Sequence, residues 1–130
     1  MQRNQKTIKN EVTLMGIGLH TGQEVTLTFK PAPVNHGYAF VRVDLEGQPR
    51  IEPKAEYVTD TQRGTNLEKN GVSINTSEHV LAAAVGLGVT NLIIELNASE
   101  PPIMDGSSKY FVEAIEKAEI VEQNVFVDEY

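Results

Sequence analysis

The run Glu24–Lys30 constrains this chain most: Val25, Leu27 and Phe29 fall on one side of an extended backbone, and Thr26 and Thr28 fall on the other. A period of two is the mark of a half-buried strand, because successive side chains point to opposite faces of a sheet. Such a strand has to pair with others and rest its apolar face on something. Ile8, Val12 and Leu14 share one parity in the same way. Further strand candidates are Tyr38–Asp44, Ile51–Val58 with Pro53 marking an edge or a break, Val72–Asn75 and Thr90–Leu96. The last contains Asn91-Leu92-Ile93-Ile94-Glu95-Leu96, whose nearly unbroken apolar run reads as a central, well-buried strand.

Two segments carry the helical period instead. The first starts near Asn75–Ser77 and runs through His79 to Val85, with Gly86 and Gly88 where a helix would stop. Asn75 with Glu78 three residues on, or Thr76 or Ser77 as cap, each makes a plausible start. The second follows Asp105-Gly106-Ser107 and places Phe111, Ala114, Ile115 and Ala118 on one face. Strands with two helices argue an α+β fold, a two-layer sandwich of a mainly antiparallel sheet covered by the helices. A length of 130 residues with 40% hydrophobic content suits one domain with one core, and no internal repeat or linker divides it.

Composition narrows the chemistry. With no cysteine there are no disulfides, no thiolate metal site and no cysteine nucleophile, which leaves His, carboxylate, Ser, Thr and Lys. A formal charge of −7 repels a polyphosphate backbone, so nucleic acid is not an expected partner. No apolar run approaches the roughly 20 residues needed to span a bilayer, and Met1–Asn10 is too polar for a signal peptide; the expected compartment is the cytoplasm. Beyond Ala118 the chain runs through Ile120, Val121 and the strand-like Val125-Phe126-Val127 to Tyr130 with no closing cap or polar tail, which reads as a chain that continues.

Four features bear on the chemistry. Glu78-His79 falls in the first turn of the first helix, where the positive end of the helix dipole favours a carboxylate and disfavours an imidazolium. Neutral imidazole binds zinc, and an ionised Glu can take a proton from water. Spacing alone favours the plainer reading, a capping acid beside an ordinary boundary histidine, and the motif His-Glu-x-x-His is absent because Ala82 and Ala83 stand where a second ligand would fall. Gly16-Ile17-Gly18-Leu19-His20-Thr21-Gly22 suggests a turn between strands in which the backbone closely approaches something, or simply a glycine-rich hairpin with an incidental His. His36, in Pro33-Val34-Asn35-His36-Gly37, sits in a turn and reads as solvated. Glu100-Pro101-Pro102-Ile103-Met104-Asp105-Gly106-Ser107-Ser108 reads as scaffold: the prolines set the chain's approach, and Asp105 or Ser107 caps the second helix.

Taken together, residues 16–22, Lys30-Pro31-Ala32-Pro33-Val34-Asn35, Thr76-Ser77-Glu78-His79, Val85-Gly86-Leu87-Gly88 and Pro102-Ile103-Met104-Asp105-Gly106-Ser107 resemble the UDP-3-O-acyl-N-acetylglucosamine deacetylase family from about Thr7 to Ala118. The resemblance implies a zinc enzyme of lipid A synthesis in the cytoplasm of a Gram-negative bacterium. It is built from two similar domains with the active site between them, and residues 1–130 correspond to the first. It implies that His79 is a zinc ligand and Glu78 the general base, with Leu19 and His20 beside the substrate. The segment Asp60–Leu67, Thr65 included, resembles a part of the family that lines the same region, although Gln62, Arg63 and Asn66 depart from the family's pattern. Ser99-Glu100-Pro101-Pro102 departs from the usual Pro-Glu-Ile-Pro, a change expected to adjust a turn.

The implied reaction is hydrolytic. Zinc supplies Lewis acidity, Glu78 takes a proton from water, and the hydroxide attacks the acetamide carbonyl to release acetate and an amine protonated by a second acid. The family's other zinc ligands belong to a His-Lys-x-x-x-Asp motif in the second domain, absent here, whereas a catalytic zinc takes three protein ligands and a water. This domain is therefore expected to be inactive alone and, with its partner domain missing, to self-associate through uncovered apolar surface. The alternative is a non-catalytic binding or scaffold domain of the same fold. A complete small metalloenzyme using His20, His36 and His79 has no geometric basis in the sequence.

Overall fold

The computed structural model describes residues 3–61 and 64–127. Strand β1 (Asn4–Ile8) leads through Lys9 and Asn10 into β2 (Val12–Ile17), and the glycine-rich turn returns the chain along β3 (Glu24–Pro31). Then follow β4 (Tyr38–Arg42), the short β5 (Arg50–Ile51), a turn of 3₁₀ helix at Ala55–Tyr57, and the meander β6 (Val58–Thr61), β7 (Gly64–Lys69) and β8 (Val72–Ile74). Helix α1 (Glu78–Gly86), strand β9 (Leu92–Leu96), helix α2 (Lys109–Lys117) and strand β10 (Ile120–Phe126) complete the order. Among the described residues no helix is long and apolar enough to cross a membrane.

The main sheet has the order β2-β3-β9-β4-β5, and it is antiparallel except where β4 runs parallel to β9. β9 is the central strand, as its apolar run predicts, and Leu92, Ile94 and Leu96 are fully buried. The alternation in β3 appears as expected: Val25, Leu27 and Phe29 are buried on the face that carries the helices. Phe29 meets Phe111 of α2 edge to face, with centroids 6.5 Å apart. Val80, Ala83 and Ala84 of α1 and Phe111, Ala114 and Ile115 of α2 close the second layer, and the small alanines let the two helices pack together. The architecture is the two-layer α+β sandwich.

Two smaller sheets hang on this body. β1 pairs with β10, and β6-β7-β8 form a three-stranded meander that adds Leu67 and Ile74 to the core. Ile8 on one side and Val12 and Leu14 on the other thus belong to different sheets, with the parity broken at Lys9–Asn10. Pro53 acts as a break: it ends the extended segment after Ile51, and β6 starts only at Val58.

The β1–β10 pair is tied to the body through buried amides. Asn91 donates from its side chain to Gln5 Oε1 at 2.9 Å and to Gln123 Oε1 at 2.8 Å, and its own oxygen accepts the Gly37 N–H at 2.8 Å. Gln123 in turn donates to the Ala32 carbonyl at 3.0 Å.

Candidate functional site

The start of α1 is built by the meander. Ser77 occupies the N-cap position, but its hydroxyl does not cap the helix. It donates instead to the Thr65 carbonyl at 3.1 Å, and the Ser77 N–H joins the same oxygen at 2.9 Å. Glu78 is the first helical residue, and its Oε2 accepts the Thr65 N–H at 2.8 Å. The capping-box reading of Glu78 is therefore replaced: its carboxylate reaches across to β7 rather than back to its own cap. Thr65 grips α1 from both sides through its backbone, so its part in the geometry is independent of its side chain.

Thr76, just before the cap, sits at φ 57°. A β-branched residue in the left-handed region costs about 1–3 kcal/mol and persists only where its surroundings over-determine it. Here Asn66, itself buried, accepts the Thr76 N–H at 2.9 Å. Asn66 thus supports the turn ahead of Glu78 and His79. Gln62 and Arg63 lie outside the described residues.

The glycine-rich turn lies against the proline segment. A Cβ on Gly16 would stand 2.9 Å from Pro102 Cβ, and one on Gly18 would stand 2.7 Å from Glu100 Oε1. Gly18 bridges to Pro102, and the Ile103 N–H reaches the Ile17 carbonyl at 2.8 Å. The close approach expected from these glycines is thus made to the chain's own Glu100–Ile103 segment. Residues remote in sequence meet here: Leu19, Thr76, His79, Glu100, Pro102 and Phe111 all line one mainly apolar cavity of about 80 Å³. That is room for two or three waters or one small group, not for an acyl chain.

His20 is exposed, with its N–H held by Glu100 at 2.8 Å. His36 is half-buried rather than solvated: its Nδ1 donates to the Gly37 carbonyl at 2.9 Å, and its Nε2 accepts from Arg50 at 3.0 Å. The N-cap position of α2 is Ser108, whose side chain makes no cap bond, rather than the expected Asp105 or Ser107. Ahead of it Asp105 Oδ1 accepts from the Ser107 N–H and hydroxyl, and Ser107 Oγ accepts the N–H of Lys109, the first helical residue. Those hydrogen bonds from Ser107 hold the Asp105 carboxyl below the usual carboxylate range.

The family resemblance implies a zinc ion, and the cavity wall holds part of a donor set for one. His79 offers an imidazole at the cavity wall with Glu78 next to it. Among the described residues, however, no group of three or more His, Asp or Glu gathers at one place. These residues fit one side of a catalytic zinc site and would need further ligands from elsewhere. Glu100 is the residue that sequence reasoning passed over. A Glu ahead of two prolines gives no periodic or motif signal that its carboxylate is buried in this wall.

Fold and site together define a two-layer α+β domain that carries an acid–histidine pair at a helix start beside a small apolar cavity. Residues 5–128 match the LpxC family, described as UDP-3-O-acyl N-acetylglycosamine deacetylase. The chain belongs to that family. It is 52% identical over 126 residues to a bifunctional enzyme LpxC/FabZ of Bacteroides thetaiotaomicron, an alignment covering 97% of this chain and 27% of that protein. It is 50% identical to the UDP-3-O-acyl-N-acetylglucosamine deacetylase of Chromohalobacter salexigens (92% of this chain, 39% of that protein). It is 53% identical to that of Saccharophagus degradans (92% and 40%). The chain therefore spans between about a quarter and two fifths of these relatives' lengths.

Proposed function

We propose that this chain is the first of two domains of a deacetylase that removes the N-acetyl group from UDP-3-O-acyl-N-acetylglucosamine in lipid A synthesis, in the cytoplasm of a Gram-negative bacterium. The observation that carries the reading is convergence: the Gly16–Gly22 turn and the Thr76–His79 segment, far apart in sequence, wall one cavity. A pure scaffold would need neither Glu78 nor His79. Membership of the family and the partial coverage of longer relatives support it further.

In this reading His79 is one ligand of a zinc ion whose remaining ligands come from the second domain, and when bound the ion supplies Lewis acidity at the acetamide carbonyl. Glu78 is the general base. The Thr65 N–H fixes one carboxylate oxygen at 2.8 Å, which orients the group as it takes a proton from the attacking water. Leu19 and His20 lie along the substrate, and the meander around Thr65 borders it. Leaving-group protonation falls to an acid outside this chain, so the domain alone is inactive.

The test compares this chain with the full-length protein that contains it. Turnover of UDP-3-O-acyl-N-acetylglucosamine is expected from the full-length protein only. Glu78→Gln there should lower kcat by about 100-fold or more without loss of folding. In the isolated chain, elemental analysis after zinc loading and dialysis should find almost no zinc, with or without His79→Ala. One zinc per chain, lost in His79→Ala, would mean that this domain builds a metal site unaided. A folded full-length protein that turns nothing over would favour the scaffold reading.

A further inference from the structure

Glu100 is 1% exposed. A carboxylate withdrawn from water is retained only where hydrogen-bond donors replace its hydration. One such donor is present: Oε1 accepts the His20 N–H at 2.8 Å. Oε2 is buried and has no hydrogen-bond partner among the described residues. The side chain lines the same cavity as Leu19 and His79.

Gly18 is what admits this carboxylate. A Cβ at Gly18 would fall 2.7 Å from Glu100 Oε1 and 2.7 Å from Thr21 Oγ1, so any larger residue would push the turn off the oxygen that holds it. The Gly18–Pro102 bridge and the Ile103 to Ile17 hydrogen bond flank the contact. Glu100 thereby ties the proline segment to the turn, with one oxygen committed to the turn and the other without a donor among the described residues.

We propose that Glu100 is a positioning residue of this site: Oε1 fixes the Leu19–His20 turn beside the cavity, and Oε2 accepts a hydrogen bond from a hydroxyl or amide N–H of the bound substrate. The second half rests on the deacetylase reading; the first does not. The Glu78–His79 pair is held by the meander and the Leu19–His20 turn by Glu100, so the two walls of the cavity have separate supports.

The experiment uses the full-length protein and two readouts. Glu100→Gln keeps an oxygen for the His20 N–H but places an amide donor where Oε2 stood. It should leave exchange of the His20 amide near wild type, while KM rises about tenfold with kcat within about twofold. Glu100→Ala removes both oxygens and should speed His20 amide exchange by about tenfold or more. Should that variant fail to fold, Gly18→Ala displaces the turn with the carboxylate intact and should give the same faster exchange. His20 exchange unchanged in the folded alanine variants would overturn the positioning role, and an unchanged KM in Glu100→Gln would overturn the substrate contact. Failure of the deacetylase reading itself would appear separately, as wild-type protein without turnover.

Discussion

Arg42 carries its charge into the main sheet, where it is buried. Its Nε and Nη2 donate to the two oxygens of Asp44 at 2.9 and 2.8 Å, and its Nη1 donates to the Ser73 carbonyl at 2.9 Å. The fork thus joins β4 to β8 as well as closing its own turn. The Arg42 hydrogen bonds hold the Asp44 carboxyl below the usual carboxylate range. A carboxyl whose pKa is depressed on folding stabilises the fold above its unfolded value, about 3.9, and loses that contribution as pH falls through the folded value. Asp44→Asn should therefore cost about 1 kcal/mol at pH 7, and the difference from wild type should shrink in thermal melts taken below about pH 4. A gap that stayed constant with pH would mean that the charge on Asp44 does not matter. At this scale the sequence was only partly legible. Glu78 and His79 draw attention as an acid and a histidine at a helix start, but their spacing alone favours a capping acid beside a boundary histidine, and only the family resemblance gives them roles. Glu100 draws none, because burial of a carboxylate depends on which glycine turn lands on it, and that is decided by strand pairing far from its own neighbours.

Helix α1 ends by a device that can be checked hydrogen bond by hydrogen bond. The Val89 N–H reaches the Ala84 carbonyl at 3.0 Å and the Gly88 N–H reaches the Val85 carbonyl at 3.0 Å, a Schellman closure with Gly88 at φ 75°. A Cβ on Gly88 would meet nothing closer than Lys6 Nζ at 3.9 Å, so the objection to a side chain there is backbone conformation alone. Gly86, in the last helical turn, has an ordinary helical backbone and open space where a Cβ would stand. The two glycines should respond with opposite signs. Gly88→Ala should destabilise by about 1 kcal/mol, the left-handed strain less the smaller gain in the unfolded chain. Gly86→Ala should stabilise by about 0.5–1 kcal/mol. Urea midpoints moving the same way in both would refute the assignment of the stop to Gly88. Element type was well legible where the period ran long enough, in β3, β9 and α2. Boundaries were less so. α1 begins at Glu78 because Thr76 is held in a left-handed turn by Asn66, a contact made across ten residues that no local cap signal encodes. The split of Ile8 from Val12 and Leu14 is similar, since β10, over a hundred residues on, draws β1 into a separate sheet.

For the whole molecule, the distribution of apolar surface carries the argument. The core is closed by helices on one face of the main sheet, but at the β2 edge Met15, Ile17 and Leu19 are 60%, 50% and 54% exposed. Met15 and Ile17 share the outer parity of their strand and, with Ile103, Met104 and Tyr110, line an open groove at that edge. Apolar side chains clustered in this way differ from the scattered exposure normal on a monomer, and they mark a surface that gains by being covered. The relatives matched are two and a half to nearly four times longer than the stretch aligned here, and under the two-domain reading proposed above a covering segment of the same polypeptide is the occupant. Under that reading the occupant lies outside these 130 residues, and a second copy is the available substitute. Against it stands the charge of −7, whose repulsion weakens at high ionic strength. The isolated domain should therefore self-associate weakly, with a Kd of about 10–1000 μM that tightens as salt is raised, since apolar burial is retained while like-charge repulsion is screened. Sedimentation velocity across a concentration series at low and high salt measures this directly. Ile17→Lys should abolish the association while leaving the fold intact, because Ile17 contributes nothing to the buried core. A chain that sediments as a monomer at millimolar concentration in high salt would show that the β2 edge tolerates water, and the case for its being a covered surface would fall with it.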